Sequence, residues 1–306
     1  MSANAVAAVA GPASRGGTER LAALALVTTI VLWASAFAGI RVALRAFGPE
    51  HLSLLRLAVA SAVLGAIAVA RGGLRVPARA DLPGLLLVAF TGMTAYQLLL
   101  NAGEVSVPAG TASLLVNVSP LFTAILAVTL LGERLSVRAR AGIAVGFGGA
   151  ALVAVSRGGG LGFDARALLV LGAAVAQATF FVAQKGLLQR SRLEAFDLTA
   201  WAMWLGTAML LPFAPGLPHA VASAPAGALA AVLYLGVGAS AVGFVSWAYA
   251  SARVPVSFAA STLYAVPVVA GAVAWLWLGE TPAPLAVAGG AVALAGVALT
   301  AAARRS

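Results

Sequence analysis

The side chains of this chain that could do chemistry at depth are rings and neutral amides. Trp33 and Phe37 stand four apart on one helical face, as do Phe180 and Gln184, with Gln177 extending the second stripe by a turn. Tyr96, Gln97 and Asn101 form a third group, and Asn117, Trp247 and Tyr264 complete the set. Lipid rewards only apolar contact, so amides inside apolar runs are expected to face protein or a cavity. Rings can contact an apolar side chain or an amino group through the π face, and amides hold polar heads. The chemistry implied is reversible binding of a small amphipathic molecule. Helix packing or interfacial belting is the competing use of Trp33, Phe37 and Phe180. Trp201, Trp204, Trp275 and Trp277 are assigned to lipid or interface contact.

Two prolines add to this set. Pro120 has no amide hydrogen, so the carbonyl of Val116 loses its helical partner, and Pro267 does the same to Leu263. Both are read as helix kinks. Asn117 and Tyr264 lie three residues before them and are expected to face a common space. Kinks satisfied by neighbouring Ser and Thr are the alternative.

Groups for catalysis are missing from these runs. The chain has no cysteine, and its two histidines, His51 and His219, fall near membrane surfaces without metal-ligand spacing. A serine nucleophile would lack a base within reach, and the sole lysine, Lys185, lies outside any phosphate-cradling pattern. No cofactor, metal or enzymatic activity is expected. All nine carboxylates fall at span ends or in loops. Proton-driven antiporters commonly bury such a group, so downhill export or exchange is expected. Arg41, Arg56 and Lys185 read as snorkelling anchors, which leaves the cavity without a fixed cation.

The elements that must position these residues follow from composition. Hydrophobic residues make up 62% and charged residues 9% of the chain, which makes the lipid bilayer its solvent. Runs of about 20 apolar residues suffice to cross the hydrocarbon. Ten can be marked, at 22–44, 52–70, 82–103, 110–131, 138–155, 166–187, 196–214, 225–250, 256–278 and 285–303. Barrel strands are excluded because the runs are long and do not alternate.

The chain also repeats itself. Pro108, Pro120, Gly132, Glu133, Gly142 and Gly149 recur 147 positions later as Pro255, Pro267, Gly279, Glu280, Gly289 and Gly296. Over 107–154 that offset gives 17 identities in 48 positions, 10 of them not alanine, too many for composition alone. Of the 19 basic residues, 14 fall on the side of the N-terminus and five opposite, namely Arg41, Arg45, Arg56, Arg157 and Arg166. This asymmetry puts both termini in the cytoplasm. It also accounts for the net charge of +10 without nucleic acid. Five spans per repeat make the second copy inverted, as alternating access requires. The fold class is thus an all-α membrane protein of ten transmembrane helices in two inverted five-helix repeats. Residues 1–20 read as a disordered cytoplasmic tail without a cleavable signal and 21–156 as the first repeat. An external linker, 157–165, joins it to the second repeat at 166–303, and 304–306 form a cytoplasmic tail. Glycines 142, 146, 149, 289 and 296 let helices approach closely, within the chain or across a dimer. A monomer or a homodimer is therefore expected.

From Tyr96 to Leu135 the sequence resembles the EamA-like drug/metabolite transporter superfamily. The resemblance is carried by 109–115, by Ser119, Pro120, Leu121, Phe122, Thr123 and Ala124, and by Leu131, Gly132, Glu133, Arg134 and Leu135. The second copy, ending Leu278, Gly279, Glu280, resembles it again, whereas 104–108 departs from the commonest pattern. The resemblance implies ten helices, inverted halves, a central cavity from spans one, three, four, six, eight and nine, and export of small metabolites across a bacterial inner membrane. Members of this superfamily include amino-acid exporters. Aromatic or other apolar amino acids are the expected substrate class, with drugs, other metabolites or a lipid or isoprenoid as alternatives.

Overall fold

A computed structural model describes residues 12–131, 136–157, 160–161, 164–253 and 262–303 of the 306-residue chain. Gly132, Glu133, Arg134, Leu135 and Pro255 lie outside the described residues, so the Glu133 end of the first repeat receives no structural account. The described chain is helical because apolar runs of this length must satisfy their backbone amides internally. Helix α1 covers Pro12–Ala43, so residues 12–20, expected in the disordered tail, are helical. Helix α2 covers Pro49–Ala70 and α3 Arg79–Gly103. Two shorter helices, α4 (Ala109–Val116) and α5 (Ser119–Leu131), precede α6 (Val137–Val155). A two-residue antiparallel pairing, Ser156–Arg157 with Gly160–Leu161, straddles the expected start of the linker at 157. Next come α7 (Arg166–Arg190), α8 (Ala195–Leu210), α9 (Leu217–Ser223) and α10 (Ala226–Arg253). The described chain closes with α11 (Val266–Leu278) and α12 (Pro284–Ala303).

Among the described residues α1, α2, α3, α7 and α10 are long and apolar enough to cross a membrane, and a sixth span results if the segments at α8 and α9, bent by 93°, count together. Neither proline kinks a continuous helix. Pro120 sits in the first turn of α5 after a break at Asn117 and Val118. Pro267 sits in the first turn of α11 after a 3-10 turn, Leu263–Ala265. The missing amide hydrogen costs nothing in a first turn, where those hydrogens have no intrahelical partner, so the chain restarts a helix there.

Helices α3 and α10 contain π-helical stretches at Ala89–Ala95 and Leu235–Val242. Shifted by 147, the first maps onto 236–242, inside the second. Glycines join α6 to α12 by backbone contact. A β-carbon on Gly142 would lie 2.8 Å from the carbonyl oxygen of Gly296, and one on Gly289 would lie 2.9 Å from that of Gly149. As one helix advances from 142 to 149 its neighbour recedes from 296 to 289, so the two run antiparallel. Of their two expected uses, these glycines serve packing within the chain.

Candidate functional site

The aromatic residues converge between α1, α7 and α10. Trp33 of α1 lies 5.1 Å from Phe244 and 5.6 Å from Trp247, centroid to centroid, and stacks on Phe181 at 6.4 Å. Phe180 lies 5.5 Å from Phe181 and 5.6 Å from Phe244, and Phe181 lies 4.7 Å from Trp247. These separations are those of offset and edge-to-face ring pairs. Two contacts in the cluster are related by the repeat. The Trp33 Nε1–H donates to the Ala239 carbonyl (3.2 Å) in the π-helical stretch of α10. Its counterpart Phe180 packs on Gly92, the counterpart of Ala239, in the π-helical stretch of α3. Each first helix thus leans on the third helix of the other half, where a π turn or a glycine opens the surface.

Beside the rings lies a small, partly open chamber of about 20 Å³, room for one water. Its wall is made by Trp33, Ala36, Phe37 and Ile40 of α1, Arg56 of α2, Tyr96 and Leu100 of α3, Gln177 of α7 and Phe244 of α10. Trp33, Phe37, Tyr96 and Gln177, expected at the site, therefore meet at one wall. Phe180 and Trp247 stand behind it in the ring cluster. Gln97, Asn101 and Gln184 are buried nearby on α3 and α7. Both amide atoms of Gln97, the Asn101 Oδ1 and the Gln184 Nε2 make no hydrogen bond, while Asn101 Nδ2 donates to Ser53 Oγ (2.8 Å).

Asn117 and Tyr264 do not reach this wall. Asn117 caps α4 and turns its Nδ2 back onto the Ser113 carbonyl (2.9 Å). Tyr264 packs against a second apolar cluster built on Val118, Leu121, Ala150, Ala174, Ala293 and Val297. A wider hollow of about 370 Å³ lies apart, at the loops holding Ser106, Pro108, Asp164 and Pro282.

The largest departure from expectation is ionic. Arg56 is not a snorkelling anchor: it is buried (3% exposed) on the chamber wall, and its Nε donates to Ser240 Oγ (3.0 Å) while its Nη1 makes no hydrogen bond. Lys185 is not one either, since its Nζ donates to the Ser251 carbonyl (2.9 Å) at the end of α10. Arg41 is held at the bundle end, its Nε on Glu280 Oε1 (3.1 Å) and its Nη1 on the carbonyls of Glu104 (2.7 Å) and Val105 (3.2 Å). Glu280 follows Gly279, which ends α11 in the left-handed region (φ 67°), and its Oε2 also accepts from the Ala109 amide (3.1 Å). Glu104, just past the end of α3, has 0% exposure and neither carboxylate oxygen hydrogen-bonded. Burial pushes its carboxyl well above the usual range; Arg41 and Arg56 pull it back, and Glu280 adds to the rise. A carboxylate at a span end is thus buried after all.

Apolar helices here close around rings, amides and one guanidinium, and the family that the chain matches is one of membrane transporters. The chain belongs to the EamA-like transporter family, which it matches over residues 20–155 and 165–302, once in each half. It is similar to a protein of Streptantibioticus cattleyicolor described as a probable terminal-alkyne amino-acid exporter, 50% identical across 90% of this chain and 91% of that one. It is 35% identical to the uncharacterized transporter YdfC of Bacillus subtilis, over 89% of this chain and 88% of the relative. A probable amino-acid metabolite efflux pump of Salmonella typhimurium is 28% identical over 88% of this chain and 90% of its own. A solved crystal structure shares the fold, with a TM-score of 0.63 and 24% identity over 93% of this chain and 98% of that one.

Residues missed from the sequence were Phe181, Phe244 and Arg56. The repeat offset could have found Phe244, which lies 147 positions after Gln97. Phe181 adjoins Phe180, and nothing in one dimension marks it as facing the same cluster.

Proposed function

We propose that this chain exports small amphipathic metabolites, above all amino acids with aromatic or other apolar side chains, across a bacterial inner membrane by alternating access. The observation that carries the reading is the chamber, where ring faces of Trp33, Phe37 and Phe244 share a wall with Tyr96, Gln177 and Arg56. Rings suit an apolar side chain, and the polar groups suit an amino-acid head. The relatives described as amino-acid exporters support the same class. Ten membrane spans in two inverted halves are part of the proposal, with both termini cytoplasmic and 157–165 external. Support comes from the antiparallel course of α6 and α12, which are equivalent under the repeat, and from the paired contacts of Trp33 and Phe180 with the third helices. Two such halves can exchange roles around a chamber between them, which is how inward and outward access alternate.

The test is efflux from cells overexpressing the chain, preloaded by dipeptide feeding and compared with an empty-vector control, following all twenty amino acids in the medium. Selective release of a few apolar or aromatic amino acids is expected. No excess release of any amino acid, with the protein folded in the membrane, refutes the amino-acid reading and turns attention to drugs, other metabolites or lipids.

A further inference from the structure

We infer that Arg56 is the carboxylate-receiving group of the chamber. A guanidinium withdrawn from water is costly unless an anion or hydrogen-bond acceptors compensate it, and the compensation available to Arg56 is incomplete. Only its Nε has a hydroxyl partner, Ser240, which fixes the plane of the fork, while Nη1 makes no hydrogen bond. The carboxylates near it do not meet the need. Glu280 is engaged by Arg41 and the Ala109 amide. The carboxylate oxygens of Glu104 make no hydrogen bond, and no ion pair joins them to Arg56 within 4.0 Å. Arg56 also shares the chamber wall with Trp33, Phe37, Tyr96 and Phe244, so once the helices part enough to widen this one-water space, a ligand whose ring or alkyl group lies against those rings can place a carboxylate on the guanidinium. A planar fork matches a carboxylate bidentately, and a carboxylate is the anionic head that an amino acid carries.

This assignment rests on the export reading above and sharpens it: the preferred ligands carry a free carboxylate next to an apolar group. The experiment is equilibrium titration of the purified full chain in lipid nanodiscs, read by intrinsic tryptophan emission, since Trp33 is on the wall and Trp247 in the adjoining cluster. Three probes are used: L-phenylalanine, 3-phenylpropionate, which lacks the ammonium, and phenethylamine, which lacks the carboxylate. Wild type is expected to bind the first two and to bind phenethylamine at least about tenfold more weakly. Arg56→Gln is expected to weaken phenylalanine and phenylpropionate by about ten- to a hundredfold and to leave phenethylamine within about twofold. Arg56→Lys, which keeps the charge and loses the fork, should fall between, and its thermal unfolding curve checks that the bundle remains intact.

Phenethylamine binding as tightly as phenylpropionate in wild type overturns the assignment, as does equal weakening of all three probes by Arg56→Gln. Binding of phenylpropionate but not phenylalanine, lost in Arg56→Gln, upholds the carboxylate site while refuting the amino-acid reading. Binding of none of the three overturns both.

Discussion

Gly92→Ala tests how the chamber wall is built. Gly92 lies in the π-helical stretch of α3, and a β-carbon there would stand 2.7 Å from Cγ and 2.8 Å from Cε2 of Phe180. Non-bonded carbons settle at about 3.5–4.0 Å, so the ring must retreat by about 1 Å. Phe180 is 1% exposed and has Phe181 and Phe244 as ring neighbours, so the displacement passes to rings that adjoin the chamber. Overpacking of this kind costs about 1–3 kcal/mol, and the higher helix propensity of alanine offsets up to about 1 kcal/mol. A net loss of about 1–2 kcal/mol is expected. If the strain falls on the ligand-bound arrangement, affinity drops by roughly five- to thirtyfold. The control is Gly148→Ala on α6, where an added methyl meets nothing within 4 Å and should leave stability equal or slightly raised. Thermal unfolding of both variants and efflux at matched expression give the comparison. Gly92→Ala matching Gly148→Ala in both measurements would refute the reasoning.

Two further outcomes are expected. Gly296→Ala sets a methyl 2.6 Å from the Gly142 carbonyl oxygen and should destabilise the α6 and α12 pair by about 1–3 kcal/mol; thermal unfolding against Gly271→Ala, which meets open space, checks it. Glu104 holds its proton more tightly in the folded chain than in the unfolded one, so its contribution to stability falls as pH rises above the ordinary carboxylate range. Melting temperature measured from about pH 5 to about pH 8 should therefore decline more in wild type than in Glu104→Gln, and equal slopes would count against the buried carboxyl.

Part of the wall was legible from helical spacing, and part of the ring cluster behind it from the repeat. Helical spacing aligned Trp33 with Phe37, and the repeat offset carried that stripe to Phe180 and Gln184. Of the four tryptophans assigned to lipid or interface contact, Trp275 and Trp277 are exposed at 59% and 60%, whereas Trp201 and Trp204 are partly buried and donate to the carbonyls of Arg75 and Ser61. Arg56 was not legible, because a position four residues inside an apolar run fixes depth and leaves open whether the side chain meets lipid or another helix. The same ambiguity hid Glu104. Asn117 and Tyr264 were misplaced for a different reason. Equivalence under the repeat says that two residues have similar surroundings within their own halves, and it does not say that those surroundings are the chamber; both residues sit in the breaks before the helices that carry Pro120 and Pro267. Counting by 3.6 also loses register through the π-helical stretches of α3 and α10, so Phe244, on the far side of one of them, escaped the stripe.

The Arg41 and Glu280 contact has a consequence for energetics. It ties the end of α1 to the segment after α11 and, through the carbonyls of Glu104 and Val105 and the amide of Ala109, to the turn between α3 and α4. Both side chains remain about a quarter exposed, at 27% and 24%, so water screens the ion pair and its worth is at most about 1 kcal/mol. That amounts to roughly a fivefold bias in the ratio of two conformers, far short of the ~5.5 kcal/mol that turns a minor conformer into the sole one. It works as a ballast rather than a bolt. Ionic strength, by loosening the pair, becomes a dial on how firmly that end of the bundle is held together.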